Sequence, residues 1–291
     1  MEGFDDPRHN RPADDVYVPS VSMADTNAAR FVSEIAKVLV EAATDFPVKE
    51  PKTERSKRTN ERKTFTLRAE NELDAEFEAV VQNWLDEHRE QLEDALRAII
   101  LVALLAAVTH ALRAWLDKLG YSHCSRARST PEMEAWVSER VASDAQRVGD
   151  TIQARIREIV KSAQSAGDSH ERTMQRIREF LNSPRKIEEL LHEIGMTSAY
   201  AATNYGAFLV NSIAGAETKF WITSGDYSVC SACAANEAQG PVPIGQPFKS
   251  GHLAPPAHSL CPCFNAYSIL QADTIDAALT MFSVVCQNGP S

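Results

Sequence analysis

The sequence predicts a mainly α fold: an elongated helical body followed by a small α+β C-terminal module stapled by cysteine and histidine side chains. Three observations predict it. Apolar residues recur at spacings of three and four through most of residues 29–215. After Glu217 that period gives way to short aromatic and β-branched runs separated by Pro- and Gly-containing turns. In the same stretch four of the six cysteines fall within 34 residues, at 230, 233, 261 and 263.

The 291 residues give room for two modest domains, or for one domain with long appendages. The chain is 44% hydrophobic and 24% charged, as soluble globular proteins are. Its 30 Lys+Arg against 40 Asp+Glu leave a net charge of −10. That argues against a general nucleic-acid coat, because duplex binding needs a positive surface. No N-terminal stretch joins a basic start, an apolar run and a small-residue cleavage site. The longest uncharged apolar run, Ala98–Leu112, has 15 residues, short of the roughly 18–20 that cross a bilayer. The expectation is a soluble protein, cytosolic at synthesis, with no membrane span.

Element by element, residues 1–28 carry Pro7, Pro12 and Pro19 with few large apolar groups, and read as a disordered arm. Within 29–68, a short helix over Ala29–Ala43 places Phe31, Ile35, Val38 and Leu39 on one face. A basic linker follows, with Lys49, Lys52, Arg55, Lys57, Arg58, Arg62 and Lys63 against three Glu. It reads either as a solvated linker or as a tether onto DNA or an acidic partner.

A helical domain spans 69–215. Its first part sets ten acids against Arg89 and Arg97 and carries the apolar stripe Leu73, Phe77, Val80, Trp84, Leu92 and Leu96. This helix is expected to continue to Leu119, with Gly120 as its stop. From Ile99 to Val108 it is apolar on nearly every side, so it should be buried all round. It is either a central core helix or a surface that docks against another subunit. Ser129 or Thr130 can cap the next helix, with Pro131 in its first turn and Glu132 completing a capping-box pattern with Ser129. Val141, Ala145, Val148, Ile152, Ile156, Ile159 and Ala163 give this helix one apolar face, and Gly167 ends it. Asp168 and Glu171 open a helix with Met174, Ile177 and Leu181 inward. Ser183-Pro184 opens another that should stop at Gly195, and Thr197–Ile213 forms the last, closed by Gly215.

The C-terminal module covers 216–275, with 276–291 as a tail. Lys219–Thr223 and Phe264–Leu270 read as strands around an irregular Pro241–Ser250 loop. A unit this small needs a staple. The sequence supplies Cys230-Ser-Ala-Cys233, 24 intervening residues, then His258-Ser-Leu-Cys261-Pro-Cys263. CxxC lets one turn present two thiolates to one ion, and a second ligand pair from a distant knuckle completes a tetrahedron suited to structural zinc. Cys230, Cys233 and Cys261 lead, with His258 and Cys263 rivals for the fourth place. A thioredoxin-like redox pair is the other chemistry of CxxC, but no βαβ pattern surrounds it. Cys124 and Cys286 stand alone in the sequence, and His252 is expected on an exposed loop. His192-Glu193 starts an HExxH-like string that Met196 breaks, and the chain has no phosphate loop, GxGxxG or GxSxG. Nothing in it commits to an enzyme.

The string Trp221-Ile-Thr-Ser-Gly-Asp226-Tyr-Ser-Val-Cys230-Ser-Ala-Cys233, then Phe248, then Pro255-Pro256-Ala-His258-Ser-Leu-Cys261-Pro-Cys263 resembles the tailed-phage head morphogenesis family of phage Mu F-like minor head proteins. The resemblance covers about residues 185–270. It departs from the family at Met196-Thr197-Ser198, Ser259 and Pro262, and leaves the metal-ligand positions intact. It implies a minor structural protein of a capsid, at or near the portal, entering during procapsid assembly and packaged with the DNA. The implied partners are portal or capsid proteins. Docking would use the knob, with Trp221, and the apolar helix through Ile99, Leu101, Leu104, Leu105 and Val108. The basic segment at 49–63 would touch portal acids or DNA. The alternative is a phage-encoded toxin or nuclease whose catalytic part lies unrecognised in the helical region, with the same zinc knob.

Overall fold

Helices dominate the computed structural model, which describes residues 21–44, 46, 77, 79–118, 124–225, 229–268 and 275–286. They are α1 (Val21–Ala43), a helical run over residues 79–87, α2 (Arg89–Lys118), α3 (Pro131–Ser165), α4 (His170–Leu181), α5 (Pro184–Ile213), α6 (Ser231–Glu237) and α7 (Ile275–Met281). Three short strands, β1 (Thr218–Ile222), β2 (Val242–Pro243) and β3 (Phe264–Tyr267), pair antiparallel in the order β2-β1-β3. The protein is therefore mainly α with a small sheet at its C-terminal end, as predicted. The basic segment Lys49–Lys63, the first twenty residues and Asp226 lie outside the described residues.

Two units form. One contains Met1–Ala29, Ile100–Val137 and Gly195–Ser291; the other contains Arg30–Ile99 and Ser138–Ile194. In the second unit Trp84 is an anchor. Its indole N–H donates to the Ala42 carbonyl at 3.1 Å and its ring packs edge-on against Phe46 at 5.5 Å. Asp144, fully buried on α3, is held by Arg140 at 3.0 Å and Arg147 at 3.5 Å, each one helical turn away.

The helix ends follow local chemistry. Thr130, rather than Ser129, caps α3, its Oγ1 accepting from the Met133 N–H at 3.3 Å. Gly167, at φ +72°, turns the chain out of α3, and the Asp168 N–H returns to the Ala163 carbonyl at 3.0 Å. Ser169 then caps α4, whose buried residues include Met174, Ile177 and Leu181. Gly195, expected as a stop, lies inside a continuous α5. One glycine in a helix interior costs only about 1 kcal/mol, and the buried run from Ile194 to Tyr200 outweighs it, interrupted only by half-buried Met196. The helix start expected at Ala29 moves to Val21, because Ala24 packs with Tyr200 and Phe264, and the Tyr200 hydroxyl donates to Asp25 at 3.0 Å.

Helix α2 is not buried all round. Ile99, Leu104 and Val108 face inward, whereas Leu101 and Leu105 are half-buried and Val102 is 41% exposed. Among the described residues, Leu101, Val102 and Leu105 form its more open side. By length and composition Arg89–Asp117 is apolar enough to cross a membrane, with half of its apolar window buried within the protein. Gly206 of α5 lets α2 approach closely. A Cβ there would stand 2.7 Å from the Ala107 Cβ and 3.2 Å from the Leu104 carbonyl oxygen. Nearby, the Trp115 indole N–H donates to Asn211 at 3.2 Å. The C-terminal segment is also folded. Ala278 and Phe282 are fully buried, and Cys286, which stood alone in the sequence, is joined to Cys124 by a disulfide across 162 residues.

Lys219 on β1 is fully buried. Among the described residues its ammonium has no hydrogen-bond partner, and it lies between the Phe208 and Phe248 rings, 5.3 Å and 5.1 Å from their centroids. Burial lowers its pKa from 10.5 to about 8.

Two predictions follow from this packing. Gly206→Ala is expected to destabilise the protein by about 1–3 kcal/mol, read by chemical denaturation, because Ala107 and the α2 backbone cannot both move away. Lys219→Met is expected to stabilise it by about 1–3 kcal/mol at neutral pH. The folded pKa of Lys219 lies below the unfolded value, so its burial penalty is full below about pH 8 and shrinks as pH rises toward 10.5. Melting curves of the two proteins should therefore converge on raising the pH over that range, and a constant gap would contradict the assignment.

Candidate metal centre

The centre begins with two turns that put donor atoms at one point. Cys230 sits at the N-cap of α6, in extended backbone conformation, and its sulfur accepts from the Cys233 N–H at 3.4 Å. The short α6, unmarked in the sequence reading, turns Cys233 inward, where it is 1% exposed. The other knuckle follows the cis Pro255-Pro256 bond. Leu260 takes a left-handed φ of 54°, and the Cys261 N–H returns to the His258 carbonyl at 3.3 Å, placing both side chains on one side of the turn.

Five donors assemble there as two trios that share Cys233: Cys230, Cys233 and His258, and Cys233, Cys261 and Cys263. Within each trio the donor atoms lie within 4.8 Å of one another. Cys233 Sγ is 3.3 Å from His258 Nε2 and 3.6 Å from Cys261 Sγ. Those separations match the edges of a tetrahedron around an ion with metal–ligand bonds of about 2.0–2.3 Å. The cluster can therefore hold a metal ion. His252, by contrast, is exposed, bonds to Ser250 and stays apart from both trios.

The surroundings prepare these groups. His258 Nδ1 donates to the Ser259 carbonyl at 2.7 Å, which turns Nε2 toward Cys233 as the ring atom open to a metal and raises the imidazole pKa. The Cys263 thiol donates to Cys261, drawing the Cys261 pKa down to about 5 while raising its own. Burial pushes Cys233 up to about 12, and the Cys233 backbone N–H lowers Cys230. Around them pack Trp221, Val242 and Phe248, with the Phe248 ring edge-on to Trp221 at 5.1 Å. Trp221, expected as a contact residue, is 1% exposed and serves this core.

Sequence reading missed the side chains that hold the knuckles. On α5, Asn204 donates to the Cys263 carbonyl at 3.1 Å and accepts from the Asn265 N–H at 3.1 Å. One helical face earlier, Thr197 Oγ1 accepts from the Leu260 N–H at 3.1 Å. Asn236 on α6 accepts from the Ser250 N–H at 3.0 Å, and Glu237 accepts from Thr223 N–H and Oγ1 at 3.0 Å and 2.7 Å. For Thr197 and Asn204 the trace in the sequence is a polar residue repeated after seven positions along α5. Comparison with known protein families, with curated proteins and with solved structures gave no match.

One divalent ion per chain is expected on titration with cobalt(II), read from its thiolate absorption. Uptake should weaken on going from about pH 8 to about pH 5, because bound thiolates must first lose protons that acid restores. Cys233→Ser, which removes the donor shared by both trios, should abolish uptake. Full uptake by that variant would contradict the centre.

Proposed function

We propose that the ion is zinc, that it is structural, and that the chain is a minor structural protein of a tailed-phage capsid acting in head morphogenesis at or near the portal. The observation that carries this reading is the convergence of CxxC and HxxCxC donors in one cluster, in the spacing that resembles the phage Mu F-like module. Soft thiolates with one imidazole in a tetrahedral arrangement suit zinc. Four protein ligands leave no open position for water, so the ion staples a module whose own core is small.

The four ligands are Cys230, Cys233, His258 and Cys261. His258 offers an Nε2 held in place by the Nδ1–Ser259 hydrogen bond, whereas Cys263 is the buried thiol that donates to Cys261. When bound, zinc supplies no more than the crosslink. The chain supplies its orientation through Thr197, Asn204 and Asn236. The stapled knob and the half-open face of α2, Leu101, Val102 and Leu105, are the surfaces offered to portal or capsid proteins, and the 49–63 segment is the contact for portal acids or packaged DNA.

Ligand choice is tested by metal content of purified protein. Cys263→Ser should keep a full equivalent of zinc, and His258→Ala should lose most of it; the reverse result would assign Cys263 as the fourth ligand. The biological reading is tested by quantitative mass spectrometry of virions and empty procapsids, scaled to the major capsid protein. A low, fixed copy number in procapsids, before DNA packaging, is expected. Absence from both particles would overturn it.

A further inference from the structure

The chain holds two cysteine populations with opposite redox demands. Cys230, Cys233, Cys261 and Cys263 carry no disulfide, even with the Cys233 and Cys261 sulfurs 3.6 Å apart, whereas Cys124 and Cys286 are joined. The joined pair links the segment that leads into α3 with the segment that follows α7. Beside it three hydrogen bonds join the two segments. The Ser125 N–H donates to the Val285 carbonyl at 2.9 Å, the Val285 N–H to Ser125 Oγ at 3.0 Å, and the Arg128 N–H to the Phe282 carbonyl at 2.9 Å. Apart from these bonds, the described residues of α7 and the segment after it bury Ala278, Phe282 and Val284, while Met281 and Val285 are 48% and 71% exposed. A seven-residue helix with so little buried surface is marginal without a tether.

We propose that Cys124 and Cys286 form a redox latch that holds α7 against the 124–128 segment when oxidised and releases it when reduced. In closing, the two thiols lose two protons and two electrons to a small disulfide such as oxidised glutathione. That disulfide is cleaved to two thiols as the Cys124–Cys286 bond forms; a dithiol reverses the exchange. Release frees Phe282 and Ala278 and leaves the Ser125 and Arg128 amides without the partners described above. The inference does not depend on what the metal centre binds.

The test uses the full chain, purified with zinc, equilibrated either with oxidised or with reduced glutathione. Peptide mass spectrometry without reduction identifies the disulfides, and chymotryptic cleavage after Phe282 reports opening. In the oxidised protein a Cys124–Cys286 crosslink is expected, with cleavage at least about tenfold slower than in the reduced protein. Cys286→Ser should be cleaved at the reduced rate in both buffers. Equal cleavage of oxidised and reduced wild-type protein, or oxidation that pairs Cys124 or Cys286 with another cysteine, would overturn the latch.

Discussion

One buried amide joins the helices to the C-terminal module. Asn204, fully buried on α5, behaves like a short piece of strand, donating to one residue of the incoming chain and accepting from another two positions on. It fixes the backbone at Cys263 and Asn265, and thereby the register of β3 against β1, where Trp221 pairs with Asn265. It also sets the depth at which the second knuckle enters. Remove it and the Asn265 N–H stays buried without a partner, a penalty of about 1–3 kcal/mol. Thr197 repeats the device at Leu260. Two polar side chains on one face of α5 do what a longer β-sheet would otherwise have to do.

That arrangement leaves the module with little core of its own, which is what a bound metal would offset. The sheet has a two-residue edge strand and a four-residue edge strand, and the core beside it is Trp221, Val242, Phe248 and cysteines. Apolar burial on that scale does not offset the conformational entropy of some fifty ordered residues at about 1–2 kcal/mol each. Cysteine can serve twice here, as a small buried hydrophobe and, once deprotonated, as a metal donor. The His258–Ser259 hydrogen bond and the Cys263–Cys261 hydrogen bond both prepare the donors before any ion arrives, one by fixing a tautomer and the other by favouring a thiolate.

Much of this was legible in the sequence. Periodicity gave the long helices, Gly167 and Gly215 their C-terminal turns, and β-branched and aromatic content β1 and β3. The metal donors were legible because ligand spacing is a local property. What was not legible depends on contacts between distant residues. Nothing local tells that Gly195 lies within a helix, since the burial that overrides its poor propensity comes from packing partners. Cys124 and Cys286 could not be paired across 162 residues from spacing alone. The burial of Lys219 contradicts its residue type and follows from strand alternation, which places it on the same side as Trp221. Helix α2 was expected to be covered all round from its apolar composition, yet composition does not say how many neighbours a helix has.

X-ray absorption at the zinc edge, on the full chain purified without added metal, tests the central claim most directly. Stoichiometric zinc is expected, with three sulfur ligands at about 2.3 Å and one nitrogen at about 2.0–2.1 Å. A protein that folds with its C-terminal module intact and carries no sulfur-ligated metal would contradict it.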